Sequence, residues 1–172
     1  PPGLRPGLAG AGAAAAEYFQ AGACRVLTGG ATQGLFAALF LCRKSGKMLF
    51  DRSSHLSAHR AAALLDVTPV FFDAGTIPGF GVPGEIDADS FMAAAYAHPD
   101  ACAVLLTSPT YYGVRRDIGK IASLAHARGM LLIVDEAHGA HFPALGMGSA
   151  LSHGADIAVC SAHKTLSALG QG

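Results

Sequence analysis

The feature that most constrains this chain is an alternation. Short apolar, β-rich runs are separated by longer runs with helical spacing. That pattern belongs to a mostly parallel sheet with helices packed against it. Strands are predicted over 24–28, 47–51, 67–72, 101–107, 130–135 and 156–161, and Pro69 puts the third of these at a sheet edge. Helices are predicted over 13–21, 33–43, 56–65, 87–98 and 117–128; in the second, Leu35, Phe36, Leu39 and Phe40 recur at helical spacing. Asp87 and Asp117 stand at N-cap positions, and Gly129 stops the last helix. Residues 74–84 hold four Gly and two Pro and read as a loop, either an ordered turn system or a mobile surface loop. With no repeat and no linker, the expectation is one three-layer α/β unit.

Composition narrows what such a unit can do. The 172 residues carry 12 Lys+Arg and 12 Asp+Glu, so the formal charge is zero. Without a basic run, and with no Trp, the sequence has no footprint for nucleic acid or an anionic membrane surface. No apolar stretch approaches the roughly 20 residues of a membrane span. Cys24, Cys42, Cys102 and Cys160 are far apart and form no CxxC pair, which reads as buried thiols in a reducing compartment, hence a cytoplasmic protein. The expected partner is a small molecule.

In sheets of this kind ligands collect at the carboxyl ends of the strands. Five such ends are polar here: Thr28-Gly29-Gly30-Ala31-Thr32, Asp51-Arg52-Ser53-Ser54-His55, Thr107-Ser108-Pro109-Thr110-Tyr111-Tyr112, Asp135-Glu136-Ala137-His138 and Ser161-Ala162-His163-Lys164. The first is a Gly-rich turn opening a helix. It is either a plain tight turn or a cradle whose N–H groups bind phosphate, and it matches neither a Walker A loop nor GxGxxG. Asp135 closes an apolar strand, so its carboxylate needs a partner, from a helix cap, a salt bridge or a ligand. His138 and His141 beside Asp135 and Glu136 lack metalloprotease spacing and a third ligand, so no metal is expected. Of four lysines, Lys44, Lys47 and Lys120 lie in solvated segments, whereas Lys164 follows an apolar strand, where a Schiff-base nucleophile would sit. Pyridoxal phosphate would use all of these groups together: a phosphate cradle, a lysine for its aldehyde and a carboxylate for its pyridine nitrogen.

Several segments carry a resemblance: Leu105-Leu106-Thr107-Ser108-Pro109-Thr110-Tyr111-Tyr112-Gly113, Val134-Asp135-Glu136-Ala137-His138-Gly139-Ala140-His141-Phe142, Gly154-Ala155-Asp156-Ile157 and Ser161-Ala162-His163-Lys164-Thr165-Leu166. From about Gly22 to Gln171 the sequence resembles the large domain of the bacterial ornithine/lysine/arginine decarboxylases, a branch of the fold-type-I pyridoxal-phosphate enzymes. The resemblance implies that Lys164 bonds the cofactor's aldehyde, that Asp135 pairs with the pyridinium nitrogen and that His55 stacks on the ring. It also implies that Ala31, Thr32 and Gln33 form the phosphate turn, that Ser161 and His163 complete the phosphate and Schiff-base surroundings, that Ala137 lies under the ring, and that His138 orients Asp135 or touches the cofactor.

The implied reaction releases CO₂ and an amine from arginine, lysine or ornithine. An aminotransferase, an α-oxoamine synthase or an inactive remnant are the other readings. Relative to the family pattern, the phosphate turn has fewer hydroxyls and Ser167 stands where Pro is usual. The family's enzymes continue beyond the lysine and assemble as homodimers or larger homo-oligomers. The expectation is therefore a partial large domain over residues 1–172, lacking its C-terminal part and the small domain.

Overall fold

The computed structural model describes residues 6–43 and 46–168. Lys44, the first five residues and 169–172 lie outside the described residues. Helix α1 (Pro6–Phe19) leads into α2 (Gly30–Cys42), β1 (Lys47–Asp51), α3 (Leu56–Leu64) and β2 (Thr68–Phe72). Then come β3 (Ala74–Thr76), β4 (Pro83–Ile86), α4 (Ala88–Ala97), β5 (Ala103–Thr107) and α5 (Ile118–His126). Strand β6 (Leu131–Glu136), β7 (Ile157–Cys160) and a last turn, α6 (Ala162–Thr165), complete the order, with two 3₁₀ turns between β6 and β7. Among the described residues, no helix is long and apolar enough to cross a membrane.

Five strands form one parallel sheet in the order β2-β1-β5-β6-β7. Strand β2, the one holding Pro69, is at the edge, where a missing N–H costs no ladder bond. Because side chains alternate across a pleated sheet, each central strand feeds two cores. Leu49, Val104, Leu106, Leu132 and Val134 pack with Phe91 and Ala95 of α4 and Ile118, Ile121 and Ala125 of α5. Met48, Phe50, Ala103, Leu105 and Ile133 pack on the other face with Leu35, Ala38 and Leu39 of α2 and Ala58, Ala61 and Ala62 of α3. The result is the three-layer α/β arrangement expected.

Helix α2 lies close on the sheet because residue 34 has no side chain. A Cβ on Gly34 would stand 2.6 Å from Val159 Cγ1. Asp87 caps α4 by accepting from the Asp89 and Ser90 N–H groups, and Asp117 caps α5 through the Lys120 N–H, as their sequence positions suggested.

Two expectations are corrected. Residues 24–28 form no strand, and the next helix begins three residues earlier than predicted, at Gly30. An apolar run bounded by glycines becomes a strand only where a neighbouring strand accepts its hydrogen bonds, and this run pairs with none. The Gly/Pro-rich segment is not all loop. It contributes the antiparallel β3–β4 pair, with Ala74 opposite Ile86 and Thr76 opposite Pro83 around a register shift. Cys42 is buried, and Cys24, Cys102 and Cys160 are half-buried.

Candidate active site

The pleat decides what the strand ends present. Asp135 follows Ile133 in phase and Thr107 follows Leu105, so both project toward the α2/α3 layer. The two residues are register partners on adjacent strands. A cavity of about 130 Å³ opens there, lined by Ala31, Thr32 and Leu35 of α2, Ser53, His55 and Ser57 beyond β1, Thr107, Tyr111, Asp135, Ala137, His138 and Lys164. Seven of the residues expected at a site are therefore gathered at one place: Ala31, Thr32, His55, Asp135, Ala137, His138 and Lys164. Gln33, Ser161 and His163 do not line it. The Gln33 side chain turns back to accept the Gly29 N–H at 2.9 Å, and the fully buried Ser161 meets His163 Nδ1 at 3.3 Å.

Each wall has a local cause. Helix α2 enters without a side-chain cap and without an acid in its first turn. The Gly29 and Gly30 N–H groups are taken by Gln33 Oε1 and the Leu27 carbonyl, so the positive end of this 13-residue helix meets the cavity at Ala31 and Thr32 with no acidic side chain in its first turn. His55 is the N-cap of α3: its Nδ1 accepts the Ser57 N–H at 3.2 Å and lies 2.7 Å from Ser57 Oγ, which fixes the imidazole at the rim. Lys164 reaches in from α6, and its Nζ lies 3.3 Å from His138 Nε2. Tyr111 stands edge-on to the His138 ring at the mouth. Gly139 lets the turn after β6 fold tightly, since a Cβ there would come within 2.7 Å of Glu136 Cγ and 2.9 Å of Pro109 Cδ.

Asp135 is 5% exposed, and its Oδ1 accepts the Ala137 N–H at 3.1 Å. Burial pushes its carboxyl above the usual range, against the opposing pull of that N–H and of Lys164, His55 and His138. Burial and the Lys164 charge together push His138 below the usual histidine range, while Asp135 opposes them. A neutral imidazole can then accept a hydrogen bond from the lysine amine. Sequence reasoning left out Ser53, Ser57, Thr107 and Tyr111 as site residues, although all but Ser57 lie in the strand-end segments it marked.

It also missed the buried pair behind the site. Asp51 and Arg116 are both without exposed side-chain surface and form an ion pair. Arg116 Nε donates to the Gly84 carbonyl at 3.1 Å and an amino group donates to Ser53 Oγ at 2.9 Å. Asp51 also accepts the Ser53 and Thr107 N–H groups at 2.9 and 3.3 Å. The pair joins the ends of β1 and β5 to the β3–β4 hairpin. Asp51 ends an apolar strand just as Asp135 does, which is the signal that could have drawn attention to it.

A parallel sheet whose strand ends bring a helix N-terminus, a buried aspartate and a lysine to one cavity has the α/β architecture that places ligand sites at the carboxyl ends of its strands. The family model for the major domain of Orn/Lys/Arg decarboxylases matches residues 7–172. The chain is 40% identical over 150 residues to the uncharacterized protein YaaO of Bacillus subtilis, covering 85% of this chain and 31% of that protein. It is 38% identical over 121 residues to an arginine decarboxylase of Halalkalibacterium halodurans (69% and 24% covered) and 35% identical over 140 residues to one of Bacillus subtilis (80% and 28%).

Among solved structures, the SepCysS–SepCysE N-terminal domain complex shares the fold with a TM-score of 0.75 at 20% identity, covering 99% of this chain and 44% of that one. A Burkholderia pseudomallei sphingosine-1-phosphate lyase matches with a TM-score of 0.73 at 19% identity, covering 91% and 41%. The chain belongs to the Orn/Lys/Arg decarboxylase family, and pyridoxal phosphate is the cofactor of that family. It spans less than a third of the curated relatives it matches.

The residues present fit that group on observations of this chain alone. A phosphate suits the uncapped α2 terminus. A protonated ring nitrogen suits a buried carboxylate that lacks a full cationic partner, and an aldehyde suits the Lys164 amine.

Proposed function

We propose that this chain is the cofactor-binding part of a decarboxylase acting on a basic amino acid, arginine foremost, with Lys164, Asp135 and His55 as its reactive and ring-holding residues. The observation that carries the reading is the convergence of Asp135, Lys164 and the α2 N-terminus on one cavity. Relatives named arginine decarboxylase, those of Halalkalibacterium halodurans and Bacillus subtilis among them, direct the substrate toward arginine within the basic set.

When bound, pyridoxal phosphate supplies an electron sink that lets an amino acid lose its α-carboxylate as CO₂. The rest is the work of this chain's residues. The α2 amides of Ala31 and Thr32 bind the phosphate, aided by the helix dipole. Lys164 Nζ provides the amine for the aldehyde, and His138 Nε2 accepts its hydrogen bond and holds it beside Asp135. Asp135 holds a proton on the ring nitrogen; in the free chain its own carboxyl is biased toward protonation, so a cation placed against it relieves an existing cost. The imidazole of His55, fixed as the N-cap of α3, would hold the ring. Ala137, with only a methyl group, would leave room for it.

The test is product analysis on the full chain with pyridoxal phosphate and arginine, lysine or ornithine. CO₂ and the matching amine, fastest from arginine and lost in Lys164→Ala, support the reading. A keto acid or an amino-ketone would assign the site to an aminotransferase or a synthase.

A further inference from the structure

Thr107 is 8% exposed, and its hydroxyl is a buried side-chain polar atom without a hydrogen-bond partner although it lines the cavity. A buried hydroxyl left unpaired is a standing cost to the fold, because its hydrogen bonds to water are lost and nothing replaces them. The neighbouring polar groups of the same cavity are differently placed. Ser53 Oγ is held between Arg116 and Asp51, Ser57 Oγ meets His55, and Asp135 Oδ1 takes the Ala137 N–H.

The backbone of Thr107 is pinned from the other side of the sheet. Its N–H donates to Asp51 Oδ2 at 3.3 Å, and Asp51 is fixed by Arg116. Register pairs Thr107 with Asp135, and the pleat sends both side chains to the same face. The hydroxyl is therefore presented at the level of the aspartate by a framework that is itself saturated.

We propose that Thr107 is a further ligand-binding residue of this cavity, its hydroxyl making a hydrogen bond to the polar edge of the ring that Asp135 engages. The inference rests on the reading that the cavity takes pyridoxal phosphate. Asp51 and Arg116 are then positioning residues, holding the strand end from which the hydroxyl is offered.

The test uses Thr107→Val, which replaces the hydroxyl by a methyl of similar shape, and Thr107→Ser, which keeps it. The probe is pyridoxine 5′-phosphate, which has the ring, its polar substituents and the phosphate but no aldehyde, so that its binding does not depend on Lys164. Titrated into the full chain, it should bind Thr107→Val about five- to tenfold more weakly than the unsubstituted chain, and Thr107→Ser within about threefold of it. Without ligand, Thr107→Val should melt no lower than the unsubstituted chain, since it removes an unpaired polar atom.

Equal affinity of Thr107→Val and the unsubstituted chain overturns the proposal. So does a lowered ligand-free melting temperature in Thr107→Val, which would make the hydroxyl structural. If the unsubstituted chain binds neither this probe nor pyridoxal phosphate, the reading of the cavity falls and the inference falls with it. That outcome is distinguished from the others by needing no variant.

Discussion

The two faces of the sheet meet the same problem at its carboxyl edge and resolve it oppositely. On the α4/α5 side, Asp51 and Glu136 are buried acids with partners drawn from the chain. Asp51 has Arg116, Ser53 and the Thr107 N–H, and Glu136 accepts from the Ala150 N–H at 3.0 Å and the Cys160 thiol at 3.5 Å. On the α2/α3 side, Asp135 accepts one backbone N–H, and the Thr107 hydroxyl beside it accepts and donates nothing. Asp135 and Glu136 are consecutive residues of β6, and only the pleat separates them. One face spends its buried polar groups on joining strands, and the other keeps them open toward a cavity. A buried acid is thus structural or functional according to whether the chain supplies its partner.

The sharpest way to break this comparison is to remove a partner on the closed face. Arg116→Met leaves Asp51 uncompensated and should lower folding stability by about 3–5 kcal/mol in denaturant unfolding. The double variant Asp51→Asn with Arg116→Met should recover part of that loss. A single-variant effect below about 1 kcal/mol would show the pair to be dispensable.

Asp135→Asn should behave in the opposite way. It removes a desolvated carboxylate, so ligand-free stability should hold or rise, while turnover with pyridoxal phosphate should fall by roughly 10²-fold or more. Steady-state kinetics and melting curves on the same preparation check both halves.

A smaller effect is expected at Gly139, where the turn from β6 presses on the closed face. Gly139→Ala forces contacts of 2.7 Å on Glu136 Cγ and 2.9 Å on Pro109 Cδ and should cost about 1–3 kcal/mol in thermal or chemical unfolding.

The smallest effect is in pH. Burial raises both Asp135 and Glu136 above their ordinary values, so between the ordinary and the raised values the folded chain binds protons more readily than the unfolded chain. Stability attached to these two groups is therefore present below about pH 4 and is lost as pH rises through their raised folded values. Asp135→Asn and Glu136→Gln should each flatten that slope. Saturating pyridoxine 5′-phosphate should flatten only the part that belongs to Asp135, because only that acid faces a ligand cation. Urea midpoints between pH 4 and 7 would show it.

Much of this arrangement was legible in the sequence. The bounds of β1 coincide with the apolar run 47–51, the two aspartate caps stand where expected, and Asp135 and Lys164 were marked by ending or following apolar strands. What was not legible depends on long-range partners. Asp51 and Asp135 look alike in sequence, and only the arrival of Arg116, 65 residues further on, closes the first of them. The run 24–28 carries strand composition but meets no strand to pair with, and Val26 is left exposed. The β3–β4 pair is too short and too rich in Gly and Pro to stand out from a loop. Thr107 was passed over because a threonine in a strand is ordinary, and only its missing hydrogen bond distinguishes it.

The open face is the central claim, and Lys164 is its most direct reporter. The full chain would be mixed with pyridoxal phosphate, reduced with borohydride and mapped by peptide mass spectrometry over its four lysines, Lys44, Lys47, Lys120 and Lys164. Label concentrated on Lys164, and lost from the chain when the α2 turn is disrupted by Thr32→Asp, is the predicted result. Label absent, or spread over Lys44, Lys47 and Lys120, would contradict it.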